Sequence, residues 1–152
     1  MANAMESGFR ELKNFINEVE QFIYEEAKHF DVEHLGGPQG FVIMYLLENP
    51  DKDLSFKDVE SHLKISKSVT SNLIRRMERN GFVEVQISKK DKRVKHICLT
   101  DFGRGKADQL KQYLDHIHDV FLKDITKEDA EITRKVLFTL KTNIKNEMKR
   151  RN

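Results

Sequence analysis

Residues 66–99 read SKSVTSNLIRRMERNGFVEVQISKKDKRVKHICL, a polar and basic helix that runs directly into a two-stranded hairpin with a tip made almost wholly of charge. From Ser66 to Arg79 the apolar Val69, Leu73 and Met77 recur at i, i+4 and i+8, which predicts the buried side. Ser68, Ser71, Asn72, Arg75 and Arg79 form a stripe on the opposite side, and it carries no acid; Glu78 lies off it. Asn80-Gly81 stops the helix. Phe82–Ile87 and Val94–Leu99 are rich in branched and aromatic residues and read as β-strands around Ser88–Arg93. A ribbon of this kind beside a helix is a wing.

These residues resemble the MarR family of winged helix-turn-helix transcription regulators. Ser66–Val83 looks like the family's recognition helix and its exit, Asp91-Lys92-Arg93 matches its Asp-x-Arg wing motif, and Leu99-Thr100-Asp101-Phe102-Gly103 matches its junction after the wing. The resemblance implies a mainly α fold with a small antiparallel β-wing, ordered helix, helix, strand, helix, helix, strand, strand, helix, helix. It also implies one domain over 1–152, with 38–99 as the winged helix-turn-helix DNA-binding region and 5–35 and 100–150 as the helical dimerisation region.

Composition agrees with a nucleic-acid partner. The net charge of the 152 residues is only +2, but Lys64–His96 holds 10 Lys and Arg against 3 Asp and Glu, a local +7 that leaves −5 elsewhere. Basic charge gathered in one segment attracts phosphate without making the whole surface adhesive. Cys98 is the only cysteine, which rules out an intrachain disulfide. No apolar run nears the roughly 18 residues of a membrane span, and the first residues lack the basic and apolar regions of a signal peptide. A cytoplasmic location without membrane contact is expected.

Taken in order, Phe9, Leu12, Ile16, Val19 and Ile23 recur at helical steps from Met5 to Phe30, with Phe15, Phe22 and Phe30 widening the apolar face. Such width calls for either the rest of the domain or a second chain. Gly36-Gly37-Pro38 breaks the chain, and Pro38 suits the first position of a short buried helix, Phe41–Leu47, that ends at Asn49 before Pro50. By resemblance Leu54-Ser55 supplies a very short strand pairing with the wing. Ser55-Phe56-Lys57-Asp58 resembles a capping box, Phe56, Val59 and Leu63 give the inner face of the next helix, and Ile65 plugs the turn. Ser66, Thr100 and Thr126 are expected helix caps. Phe102, Leu110, Tyr113, Leu114, Ile117, Val120 and Phe121 make a stripe expected to be buried after the wing, and Ile132, Val136, Leu137, Leu140, Ile144 and Met148 line the last helix.

An α-helix fits the major groove, where only its outward side chains reach base edges. The resemblance places DNA contacts on Ser66, Lys67, Ser68, Thr70, Ser71, Asn72, Arg75 and Arg76 of the helix. On the wing it places them on Lys89, Lys90, Asp91, Lys92 and Arg93, with Arg93 in the minor groove, its guanidinium oriented by Asp91. An exposed polar helix alone explains Ser and Asn but not a stripe free of acids. Dimerisation is assigned to Phe9, Leu12, Ile16, Val19, Val136, Leu140 and Ile144.

The six histidines raise the question of metal. His116 and His118 point about 200° apart on a helix and cannot share one ion. His29, His34 and His116 are partners only across elements, and a structural or surface role outweighs ligation for each. His62 and His96 are expected to face phosphate or solvent, and Cys98 reads as a small apolar residue. The peroxide-sensing branch of the family uses a cysteine in the first helix, and this chain has none there. No nucleophile elbow, Gly-rich phosphate loop or zinc-protease helix is present, so neither an enzyme nor a bound cofactor is expected. The reading is a homodimeric, ligand-responsive repressor acting on a pseudo-palindromic operator in duplex DNA, with a small-molecule effector between the dimerisation helices and the winged module. Two rivals stay open: a winged-helix module that binds acidic proteins, and a metal-dependent hydrolase supported by histidines alone.

Overall fold

The computed structural model describes residues 2–88 and 91–151, with side chains from residue 8 onward. The chain runs through α1 (Ala2–His29), a 3-10 turn (Glu33–Leu35), α2 (Pro38–Glu48), α3 (Phe56–Leu63), α4 (Lys67–Arg79), β1 (Val83–Ile87), β2 (Lys95–Leu99), α5 (Asp101–Leu122) and α6 (Lys127–Arg150). It is a mainly helical winged helix-turn-helix fold. Residues up to Asp115 form one compact unit, and the end of α5 with α6, from His116 onward, forms a second. Among the described residues no helix is long and apolar enough to cross a membrane.

Local chemistry explains the boundaries. Pro38 opens α2 at the start of its first turn, as expected. Ser55 caps α3 in a full capping box: its hydroxyl accepts from the Asp58 N–H at 3.3 Å while its own N–H donates to the Asp58 carboxylate at 2.7 Å. At the end of α4, the Phe82 N–H reaches the Met77 carbonyl at 3.0 Å and the Gly81 N–H the Glu78 carbonyl at 3.0 Å. This paired closure needs a left-handed residue, and Gly81 supplies it at φ +77° without a Cβ penalty. Thr126 caps α6 by accepting from the Asp129 N–H at 3.1 Å.

The core of the first unit is built from α2, α3, α4 and the base of the wing, with Val42, Ile43, Val59, Ile74 and Met77 fully enclosed. β1 and β2 pair antiparallel from Val83 opposite Leu99 to Ile87 opposite Lys95. The short strand expected at Leu54-Ser55 is reduced to one bridge, Ser55 to His96, beside the bond from the Ile97 N–H to the Leu54 carbonyl at 2.8 Å. Ser55 is already the cap of α3, so the chain turns away before a ladder can grow.

The α5 stripe and Phe41 differ from expectation, whereas the faces expected to meet a second chain are open. Of the α5 stripe, Leu110 and Tyr113 are buried, whereas Phe102, Leu114, Val120 and Phe121 stay exposed in the single chain. Phe41 of α2 is likewise exposed. α6 buries no residue at all, and on α1 Phe9, Leu12, Phe15 and Ile16 are open to solvent. Helical periodicity marks an apolar face without saying which chain covers it.

Candidate nucleic-acid interface

α4 is fixed from both ends. The Ser66 hydroxyl accepts from the Val69 N–H at 3.4 Å and lies 3.1 Å from the Ser68 hydroxyl, so the first turn is closed by side chains. At the far end, Thr100 ties the exit of α4 to the start of α5: its hydroxyl donates to the Gly81 carbonyl and accepts from the Gly103 N–H at 2.9 Å. The helix and the wing therefore share one rigid base.

Of the inward face that periodicity suggested for α4, Leu73 and Met77 are buried as expected, but Val69 is not. Thr70, Leu73, Ile74 and Met77 are buried, while Val69 is 51% exposed. Thr70, named as a DNA contact, is 1% exposed and spends its hydroxyl on the Ser66 carbonyl at 3.0 Å; it is corrected to a core position. The spacing 70, 73, 74, 77 is the better helical stripe, and Ile74 was the residue that could have told the two apart. Lys67, Ser68, Asn72, Arg75 and Arg76 are exposed and Ser71 is half-buried.

Lys67, Ser71 and Arg75 also line a recess of about 820 Å³ between α3, α4 and the wing, together with Lys57 and Lys95. Those two lysines were missed by sequence reasoning. Lys95 was legible from the strand alternation, since it stands opposite Ile87 on the outward register of β2. Glu60 and Glu78 line the same recess, so its charge is mixed rather than purely basic. Within it, cations spaced along α3, α4 and β2 can take a phosphodiester track while α4 presents short polar side chains.

Residues 91–94, on the descending side of the wing, form a tight turn. The Ser88 N–H donates to the Val94 carbonyl and the Val94 N–H to the Asp91 carbonyl, both at 2.9 Å. The Asp91 carboxylate accepts from the Arg93 backbone N–H at 2.9 Å. Asp91 thus shapes the main chain under Arg93, where a pair with its guanidinium was expected. Asp91, Lys92 and Arg93 are exposed; Lys89 and Lys90 lie outside the described residues.

Histidines of the module face inward or pack against rings. Both ring nitrogens of His96 are buried without a hydrogen bond among the described residues, its Nδ1 lying 3.8 Å from Asp53. His62 stacks on Tyr45 at 3.9 Å between centroids. The expectation that His96 faces phosphate or solvent is therefore overturned, because its strand position points it under the Ser55 bridge. Hydrogen bonds from Ser55 hold the Asp58 carboxyl below the ordinary carboxylate range, and burial pushes the half-buried Cys98 thiol up. Among the described residues no group of three or more His, Cys, Asp or Glu side chains converges as a metal site would.

Comparison with known proteins places this geometry. The sequence model described as "MarR family" matches residues 35–94. The heme sensor protein PefR from Streptococcus agalactiae, solved in complex with heme, is 47% identical, with 89% of this chain and 92% of that one covered at a TM-score of 0.77. The transcription regulator MarR from Oenococcus oeni is 28% identical over 86% of this chain and 96% of that one, at a TM-score of 0.55. Among curated relatives, the uncharacterized HTH-type transcriptional regulator YwhA of Bacillus subtilis is 25% identical over 98 residues, 64% of this chain and 69% of that protein.

Proposed function

This chain belongs to the MarR family of transcription regulators, and we propose that it is a homodimeric, ligand-responsive repressor that binds a pseudo-palindromic operator in duplex DNA. The observation that carries the reading is the exposed α4 face of Lys67, Ser68, Asn72, Arg75 and Arg76, set on one rigid base with a wing that exposes Lys92 and Arg93. α4 enters the major groove, where Ser68, Asn72 and Arg75 meet base edges; Ser66, Ser71, Lys67 and Arg76 hold the backbone. The wing follows the adjacent minor groove with Arg93, its turn set by Asp91, while Lys92, Lys89 and Lys90 add phosphate contacts.

Two copies are needed to read two half-sites. Apolar residues are left open on α1 (Phe9, Leu12, Ile16, with Val19 half-buried) and, separately, on α6 (Val136, Leu140, Ile144), and each helix is proposed to pack against a second copy of the chain. An effector that favours a different spacing of the two α4 helices releases the DNA, to the extent that it binds that spacing more tightly.

PefR makes heme the first effector to test. Imidazole is an axial ligand of heme iron, and His29, His34, His116 and His118 lie outside the winged module, whereas the buried ring of His96 does not present its nitrogens. Bound heme would supply an iron centre for one of these imidazoles to ligate. A Soret shift on titrating hemin into the protein, lost in one of these histidine variants, supports this; unchanged free-hemin absorbance removes heme as effector.

The function itself is tested by sequencing the genomic DNA fragments that the full-length protein retains. The expected result is a shared motif of two inverted half-sites about one helical turn apart, 10–10.5 bp. Retention of fragments without any common motif overturns the reading and favours an acidic-protein partner.

A further inference from the structure

Val69 is the anomaly of the α4 surface. It occupies the first turn, where the Ser66 hydroxyl accepts its N–H, and its side chain is 51% exposed amid Ser68, Asn72 and Arg76. Its neighbours Thr70 and Leu73 are 1% and 2% exposed, so the core is already filled without it. With Pro38, Ile65 and Leu73 it makes the apolar part of an open recess of about 390 Å³ whose remaining wall carries Asn72, Arg75, Arg76 and Arg79. An isopropyl group there offers no hydrogen bond. Being β-branched on a helix, it is held near one rotamer and loses little freedom on contact.

The major groove exposes one apolar group that such a side chain can meet, the C5 methyl of thymine. First-turn residues are those a recognition helix brings to base edges, and the guanidinium groups around this recess suit the flanking phosphates. We propose that Val69 reads the 5-methyl group of one thymine in each operator half-site. This rests on the DNA-binding reading above and adds to it a specific residue, a specific atom and an apolar component of readout.

The test replaces each operator thymine in turn by deoxyuridine, which keeps every hydrogen-bonding group and removes only the methyl. Full-length wild type and Val69→Ala are compared by binding anisotropy. At one position per half-site wild-type affinity should fall by about fourfold, the worth of one buried methyl, whereas Val69→Ala, already weakened on thymine, should show no further loss there. Val69→Thr, which keeps the shape but exchanges one methyl for a hydroxyl, should fall between them. Deoxyuridine losses of equal size in wild type and Val69→Ala at every position would overturn the proposal while leaving the repressor reading intact. Failure of wild type to prefer any duplex would instead overturn both. Thermal melting of the variants checks that an altered affinity is not an altered fold.

Discussion

Lys106 of α5 directs its ammonium onto Asp31, donating to that residue's main-chain carbonyl at 2.7 Å and also to its carboxylate. The two ends of the pair sit in different surroundings: the Lys106 side chain is 7% exposed and that of Asp31 68%. Asp31 is the left-handed residue (φ 56°) that closes α1, so the contact fastens the end of α1 to α5.

The asymmetry makes a prediction. Asp31→Asn keeps a residue that tolerates the left-handed backbone and the main-chain carbonyl that accepts from Lys106 but removes the counter-charge of a buried ammonium, whereas Lys106→Met leaves an acid in water. The melting temperature should fall further for Asp31→Asn; equal losses would contradict this. Lys106 holds the Asp31 carboxyl below the ordinary carboxylate range, first through the hydrogen bond and then through its charge. The contribution is therefore present above about pH 4 and lost as pH falls through the depressed folded value. The gap between wild type and Asp31→Asn should close in acid.

Two glycines of α5 should respond oppositely to alanine. A Cβ on Gly103 would lie 1.9 Å from the Phe82 carbonyl oxygen, while one on Gly105 would meet nothing within 4 Å. Gly105→Ala should stabilise by about 0.5–1 kcal/mol through helix propensity. Gly103→Ala should destabilise despite the same gain, because the Thr100 cap holds the backbone that would have to move. Chemical denaturation decides, and stabilisation by Gly103→Ala would contradict the close approach.

The dimer proposal predicts the effect of charge on α6. Val136 and Leu140 are 51% and 47% exposed in the single chain, so glutamate at either costs a monomer little. Leu140→Glu should shift sedimentation from dimer to monomer and weaken operator binding. A dimer undisturbed by both Leu140→Glu and Val136→Glu would place the interface elsewhere.

Arg93→Ala is expected to lose more affinity on operators with A·T-rich flanks under the wing than on G·C-rich ones, since a narrow minor groove deepens the potential that attracts guanidinium. Equal losses would remove the minor-groove role.

Much of the fold was legible because local signals agreed. Ser55 with Asp58, Pro38, Asn80-Gly81 and Thr126 each marked a boundary that the structure keeps. The rest depended on tertiary context. Val69 and Thr70 are adjacent and similar in shape; Ile74 pointed to the stripe 70, 73, 74, 77, and the burial of that whole stripe turns Thr70 inward and leaves Val69 out. His96 looked like a surface residue of a charged ribbon until Leu54-Ser55 closed over it. Asp91 was read as partner of the Arg93 side chain, but a tight turn gives an aspartate a nearer donor in the backbone.

The central claim, sequence-specific DNA binding through α4 and the wing, is tested most directly by salt titration of full-length protein on its retained operator and on a scrambled duplex, with Arg75→Ala and Lys92→Ala alongside. Wild type should prefer the operator by on the order of a thousandfold or more, with log K falling linearly in log salt on both duplexes. Arg75→Ala should lose about 1–3 kcal/mol per half-site on the operator and little on scrambled DNA. Lys92→Ala should weaken both alike and flatten the salt slope by about 1 per contact removed. Equal wild-type affinity for the two duplexes, or parallel losses in the two variants, would contradict the claim that this face reads sequence.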